Sequence, residues 1–272
     1  MLQIPVAPAP RSSTRYEPLD SPAVSSIVAY RFGSSEEANR PDRVLRPPGA
    51  AIMLLRRGLV YGHDRSGRCW PMPPVALLGP RACGHVWGTA PETEFVLINL
   101  APGAAWRLFG ADPGNLVDQL VTFADHPLAL LLRQHVDASA PQLDALLRRS
   151  MATISARDQL AARQAAGVVQ TFHHGGYGTT VQHYAARMGL SMRSLQRLLR
   201  EQVGLSPKQI LAVERIRQLV VLTADGWRRS IAELAQAGGY FDQSHLRYEL
   251  LAHDFGHAEE LLGGDHIVGQ RP

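Results

Sequence analysis

Residues 191–200, SMRSLQRLLR, alternate basic and apolar side chains in a way that could do chemistry. At 100° per residue, Leu195, Leu199, Met192, Leu198 and Val203 fall within an arc of about 140°, while Arg193, Gln196, Arg197 and Arg200 fall within about 100° on the opposite side. Ser191 directly precedes the helix and can cap it. An arginine fork matches O6 and N7 of guanine, a glutamine amide matches N6 and N7 of adenine, and more peripheral arginines hold phosphate. A basic outer face is also common on solvated helices. The elements that position it must therefore decide whether it meets a partner.

Those elements form a weak internal repeat. VQHYAARMGL (181–190) aligns with IAELAQAGGY (231–240), pairing Val181 with Ile231, Tyr184 with Leu234, Ala185 with Ala235 and Gly189 with Gly239. The second copy then has one extra residue, so Leu195 and Leu199 align with Leu246 and Leu250. Each copy reads as helix, glycine turn, polar cap and second helix, the plan of a helix-turn-helix: a small alanine at the crossing and a glycine that permits the left-handed turn. In that plan the second helix is the one that enters the major groove.

The second unit runs from Ser230, with Asp242 placed to cap QSHLRYELLAHDFG. Leu246 and Leu250 are expected to face inward, and Ser244, Arg247, Tyr248 and Leu251 outward. Glu249 and Asp254 on this helix should repel phosphates, so its hold on DNA should be weaker than the first unit's. Between the units, SPKQILAVERIRQLVVLTAD places Ile210, Val213, Ile216 and Val220 at helical spacing, with Pro207 in the first turn. Roughly 19 helical residues would span about 28 Å, against about 34 Å between successive major-groove entries. The helix reads equally well as a spacer between two recognition helices and as a core helix.

The rest of the chain bounds the class. Among 272 residues, 45% are hydrophobic and 19% charged, the composition of globular domains with room for two cores. No run of 18 apolar residues predicts a membrane span, and no signal peptide is recognisable. Two cysteines, Cys69 and Cys83, make no disulfide framework and suit a reducing cytoplasm. The net charge is +4, and the bases are arginines apart from Lys208. Residues 181–217 carry seven basic and two acidic groups, whereas 218–257 carry three and five, so the positive potential lies beside the first unit.

Residues 1–15 are rich in Pro, Ala and Ser and expected to be disordered. Residues 16–125 read as a β-rich domain, with strands in AIMLLRRGLVYG, PPVALLG and EFVLINLAPG. Helices are expected from about Gly114 onward, including NLVDQLVTF, then a connector over 126–152 with Pro127 and Pro141 near helix starts, an all-α domain over 153–257 and a tail over 258–272. The expected fold class is α+β: a mostly-β N-terminal domain, a helical connector and an all-α C-terminal domain with two helix-turn-helix units joined by a linker helix.

QHYAARMGLSMRSLQRLLREQVGLSPKQI, RIRQLVVL and SIAELAQAGGYFDQSHL together resemble the DNA-binding module of AraC/XylS-type transcription regulators, over about residues 155–256. The resemblance implies base reading through Arg193, Gln196 and Arg197 in the first unit and Gln243, Ser244, Arg247 and Tyr248 in the second. Ser191 and Arg200 complete the candidate DNA-binding set. The second unit departs from the family pattern at Leu250, usually aromatic, at Leu251 and Ala252, usually basic, and at His257-Ala258, usually Thr/Ser-Pro. RPPGAAIMLLRRG, LLGPRACG and INLAPGAAWRLFGADPGNLVDQLVTF resemble a β-rich sensor-like domain found ahead of some such modules, with no assigned ligand.

Cys83 and His85, two apart in a predicted strand, with Cys69 and His63 upstream, match no metal-ligand spacing, and buried structural cysteines are the default. His173-His174 reads as a helix C-terminus. No P-loop, GxSxG or HExxH occurs, so no catalytic, metal or cofactor site is assigned. The sequence is read as a cytoplasmic, bacterial, non-enzymatic transcription factor that binds double-stranded DNA. Its further partners would be RNA polymerase, a small-molecule effector of unassigned site and a second copy of the chain. The competing readings are a ligand-binding or enzymatic N-terminal domain with an accessory helical tail, and an adaptor that does not bind DNA. On the first reading, Arg197→Ala should weaken binding to a selected DNA site by about 1–3 kcal/mol in a titration; unchanged affinity would remove Arg197 from the base-reading set.

Overall fold

The apolar runs of the first half form strands buried on both faces, which is why they lack simple alternation. In β4 (Ala51–Arg57), Ile52 and Leu54 enter one core while Ala51 and Met53 enter another. β9 (Glu94–Leu100) divides likewise, with Val96, Ile98 and Leu100 on one side and Phe95 and Leu97 on the other. The computed structural model describes residues 15–19, 21–32, 42–45, 48–63, 68–83, 85–151, 155–174, 180–224, 230–259 and 267–268.

Two sheets enclose the inner core. One has the order β1 (Arg15–Pro18), β2 (Val24–Arg31), β9, β4, β7 (Val75–Leu78) and β10 (Leu120–Thr122). The other runs β11 (Ile267–Val268), β3 (Asp42–Leu45), β8 (His85–Thr89), β5 (Val60–His63) and β6 (Cys69–Pro71). Val60, Met72 and Trp87 on the second sheet's side meet Val28, Tyr30, Met53 and Phe95, where the Tyr30 and Phe95 rings stack at 4.9 Å.

The outer face of the first sheet is covered by helices. Ala104, Ala105 and Leu108 of α1 (Ala104–Phe109), Leu128 and Leu132 of α2 (Pro127–Gln134) and Leu143 and Leu147 of α3 (Ala140–Ser150) share one core with β2, β4, β7 and β9. Arg56 fixes the α2–α3 loop to the sheet: it donates to the carbonyls of Val136 (2.9 Å) and Ala138 (2.8 Å) and meets Glu94 at 3.3 Å. The Ser21 hydroxyl also bonds the Asp144 carboxylate on α3.

Three expectations change. NLVDQLVTF is not a helix: Pro113–Leu116 make one 3-10 turn, Asp118 turns left-handed (φ 56°), and Leu120–Thr122 pair antiparallel with β7. A short apolar run beside an open sheet edge gains more from completing that ladder than from one or two helical turns. Strand structure already begins at Arg15, while residues 1–14 lie outside the described residues. The segment after 257 is not only a tail: Ala258 is fully buried in a core, and Ile267–Val268 pair parallel with Val44 and Leu45.

The remaining helices are α4 (Ala156–His174), α5 (Val181–Arg187), α6 (Met192–Gln202), α7 (Pro207–Ala224), α8 (Ile231–Ala237) and α9 (Gln243–Ala252). α7 joins the two repeats. Its Ile210 is buried in the core of the first and Ile216, Leu219 and Val220 in that of the second, with Val213 also buried. It also holds a buried ion pair, Arg217 Nε to Glu214 Oε2 at 2.8 Å, with the Glu214 side chain only 1% exposed. Removing one partner of such a pair takes away the counter-charge that compensates the other in the core. Glu214→Ala should therefore lower unfolding stability by about 3–5 kcal/mol in urea titration; a loss below about 1 kcal/mol, the range of surface pairs, would show that Glu214 is not the group that compensates Arg217.

Candidate DNA-binding surface

Both repeats are built on the same local chemistry. Thr180 Oγ1 accepts from the His183 amide at 3.3 Å to start α5, and Ser191 Oγ accepts from the Ser194 amide at 3.1 Å to start α6. In the second copy Ser230 caps α8, with Glu233 reaching back to the Ser230 amide at 3.0 Å, and Asp242 Oδ1 accepts from the His245 amide at 2.7 Å to start α9. Each cap occupies amides that would otherwise lack partners in the first helical turn. The turns pass through Gly189 (φ 64°) and Gly239 (φ 69°), a left-handed conformation that side chains resist.

The repeated leucines are all fully buried. Leu195 and Leu199 pack with Tyr184, Ala185, Val203 and Leu205, and with Ala165, Val168 and Phe172 of α4; the Phe172 and Tyr184 rings lie 4.2 Å apart. Leu246 and Leu250 pack with Leu234, Ala235, Tyr240, Phe255 and Ala258 and with Ile216, Leu219 and Val220 of α7. Burial and the neighbouring Glu249 carboxylate push the Tyr240 phenol far above its ordinary pKa, so it stays neutral in this core.

With those leucines inward, Arg193, Gln196, Arg197 and Arg200 are all exposed on one side of α6, and Ser191 is exposed at its N-terminus. On α9, Gln243, Ser244 and Tyr248 are exposed. Arg247 is half-buried and held by Glu259, with Nη2 at 2.8 Å from Oε1, and its Nη1 faces Gln243 Oε1 at 3.4 Å. The guanidinium holds the Glu259 carboxyl below its ordinary pKa, so the pair is ionised at neutral pH and is lost only as pH falls through that lowered value.

Glu249, expected to repel phosphate, is instead turned inward: its side chain is 14% exposed and lies 3.8 Å from His245 Nε2. The carboxylate on the outer side is Glu259. Glu259 falls in the segment expected as a tail, and its partner lies twelve residues earlier across a turn, so no local spacing joins them.

The first unit is also seated on the N-terminal half. The Gly103 amide donates to the Gln202 carbonyl at the end of α6 at 2.8 Å, and a Cβ on Gly204 (φ 89°) would collide with the Pro113 carbonyl. Ala82, Cys83 and Val117 pack into the core beneath α6, and His253 Nδ1, just past α9, lies 2.6 Å from the Ala82 carbonyl. Beside this contact runs a groove of about 450 Å³ lined by Trp106, Arg107, Asp112, Asp158, Glu201 and Gln202. Burial lowers the pKa of the Arg107 guanidinium, which bonds the Pro22 carbonyl.

Cys83 thus does not share a strand with His85. It lies in the bend before β8, because its side chain belongs to the core under α6, while Cys69 is exposed at the start of β6. Backbone pairing sets His63 opposite Cys69. Among the described residues no group of three or more His, Cys, Asp or Glu is placed to hold a metal ion, and no helix is long and apolar enough to cross a membrane.

The ion pair generates a ranking. Arg247→Ala should cost less DNA affinity than Arg193→Ala, because Arg247 already has an acidic partner. Glu259→Gln should tighten binding and steepen the salt dependence by about one phosphate contact. Fluorescence anisotropy at several salt concentrations reads both, and equal salt slopes for wild type and Glu259→Gln would show that Arg247 stays away from the backbone.

A family model described as a helix-turn-helix domain matches residues 184–253. No curated relative matches the chain. Among solved structures, ToxT from Vibrio cholerae O395 is 13% identical, with 86% of this chain and 96% of that chain covered and a TM-score of 0.43. ToxT from Vibrio cholerae strain SCE256, bound to an unsaturated fatty acid, is also 13% identical, covering 93% of this chain and 96% of that one at a TM-score of 0.43. The AraC-like transcriptional activator CuxR is 15% identical, covering 73% and 74% at a TM-score of 0.27. Similarity of that degree carries no argument by itself; the matched segment and the two capped, glycine-turned units within it do. Residues 184–253 are a helix-turn-helix domain of the AraC type, built as two units in tandem.

Proposed function

We propose that the chain is a bacterial, cytoplasmic, one-component transcription regulator that binds double-stranded DNA through this tandem module and has no catalytic role of its own. The observation that carries the reading is the outer face of α6. Arg193, Gln196, Arg197 and Arg200 all stand exposed on it, while Leu195 and Leu199 are sealed against the rest of the unit. Arg193, Gln196 and Arg197 would read base edges, Ser191 and Arg200 would lie against phosphate, and α9 would add Gln243, Ser244, Arg247 and Tyr248. α7, at 18 residues, is about 27 Å long and supports a spacing of the two helices along successive turns of the groove.

The N-terminal half is read as the part that senses a small molecule or joins a second copy, with RNA polymerase as the downstream partner. The contacts of Gly103 and Pro113 with the end of α6, and of Ala82 with His253, supply a route by which that half would bias the module's placement. Effector binding could then change DNA affinity only by as much as it favours one placement over another.

Selection of random duplexes on the full-length protein tests the reading. The expected result is a preferred sequence with guanine in the half bound by α6, and a pool with no preferred sequence would overturn it. For the coupling, Gly204→Ala should displace the end of α6 from Pro113 and alter affinity for the selected site with the far-ultraviolet spectrum retained. An unchanged affinity would show that the seat does not position the module.

A further inference from the structure

The two recognition helices share a frame but not a chemistry. Superposing their caps, Ser191 on Asp242, sets Leu195 on Leu246 and Leu199 on Leu250, all fully buried. In that frame Ser244 replaces Arg193, Tyr248 replaces Arg197 and Leu251 replaces Arg200. The one arginine of α9, Arg247, takes the place of Gln196 and is engaged by Glu259 at 2.8 Å. The residue inserted after the glycine turn is Phe241, 93% exposed immediately before the cap; Tyr248 is 71% exposed and Leu251 52%. Ser244, Tyr248 and Leu251 lie within about 60° of one another around the helix. α9 thus presents an apolar strip, with Phe241 at the helix N-terminus, the end from which a recognition helix touches bases.

We propose that the second unit reads thymine, through contacts of Phe241, Tyr248 and Leu251 with C5-methyl groups in the major groove, where the first unit reads with arginine. This rests on the DNA-binding reading above and adds the identity of the bases. The thymine methyl is the apolar group that base pairs display in that groove, and apolar side chains are its natural partners. DNA is favoured over a protein partner because the strip is continuous with the exposed Gln243 and Ser244 on the outer face of the second helix of a helix-turn-helix unit. Gln243 can pair with the adenine opposite a thymine, and the Tyr248 hydroxyl can donate to phosphate. The unit then specifies an A·T-rich half-site with little dependence on salt, and the arginine unit supplies the phosphate attraction.

The test uses the full-length protein and its selected duplex, with each thymine replaced in turn by deoxyuracil, which lacks only the methyl group. Arg197→Ala identifies the half-site under the first unit by relaxing its base preference. In the other half, one or more replacements should weaken wild-type binding about fourfold, the equivalent of exposing one methyl group. That penalty should vanish in Phe241→Ala, Tyr248→Ala or Leu251→Ala according to which residue covers the methyl. These side chains are outside the core, so circular dichroism of each variant should match wild type. Equal binding to thymine and deoxyuracil duplexes, or a penalty that persists in all three variants, would overturn the proposal. If the variants bind every duplex as wild type does but lose capture of RNA polymerase, the strip is a protein-docking surface and the thymine reading fails. If selection yields no preferred sequence, it is the DNA-binding reading that fails instead.

Discussion

Leu195 and Leu199 are wholly removed from water beneath α6, and their burial fixes where every arginine of that helix points. A helix of this length has no preferred rotation until one stripe is buried. Sealing two leucines against Tyr184, Phe172 and Val203 removes the freedom to turn. The energetic cause is ordinary, since burying a leucine side chain contributes about 1.5–3 kcal/mol. The functional consequence follows from geometry: Arg193, Arg197 and Arg200 can lie only on the opposite side. Leu246 and Leu250 impose the same constraint on α9, so the outer surface of each unit is decided by its inner one.

The core under α6 also reaches beyond the module. Ala82, Cys83 and Val117 come from loops of the β-rich half, yet they share that core with α4, α5 and α6. Loops of that half also offer backbone groups, with the Ala82 carbonyl facing His253 and the Gly103 amide meeting the end of α6. The recognition helix is therefore anchored at its C-terminus by the N-terminal half while its N-terminal residues remain free for a partner. Arg56, bound to the carbonyls of Val136 and Ala138, makes the α2–α3 hairpin part of the sheet's framework. A displacement of that sheet would have short, well-packed routes to α6.

Electrostatics separate the two units more sharply than their folds do. α6 shows three exposed arginines, with Glu201 one turn beyond Arg197, whereas α9 carries one arginine and Glu259 holds it. The helices are near-copies in caps, glycine turns and buried leucines, so the contrast lies in the exposed residues alone, where substitutions leave the fold intact.

Much of the fold could be read from the residues because local rules governed them. Periodicity placed Leu195, Leu199, Leu246 and Leu250 inward, the caps and glycines marked both turns, and the long apolar runs foretold strands. The same rules failed for NLVDQLVTF, where an open sheet edge outside the sequence window turned an expected helix into a 3-10 turn and β10. They also failed for Cys83, which joins the core under α6 rather than a strand face shared with His85, and for Glu249, which faces inward. The sequence by itself determined the helix-turn-helix repeat and the side of α6 that carries its arginines, because both depend on residues a few positions apart. Only the tertiary structure decided that Glu259 claims Arg247, that Ala258 closes the second core, and that the end of α6 rests on Gly103 and Pro113. Those contacts join residues separated by a turn or by half the chain, and such distances leave no periodic mark in a sequence.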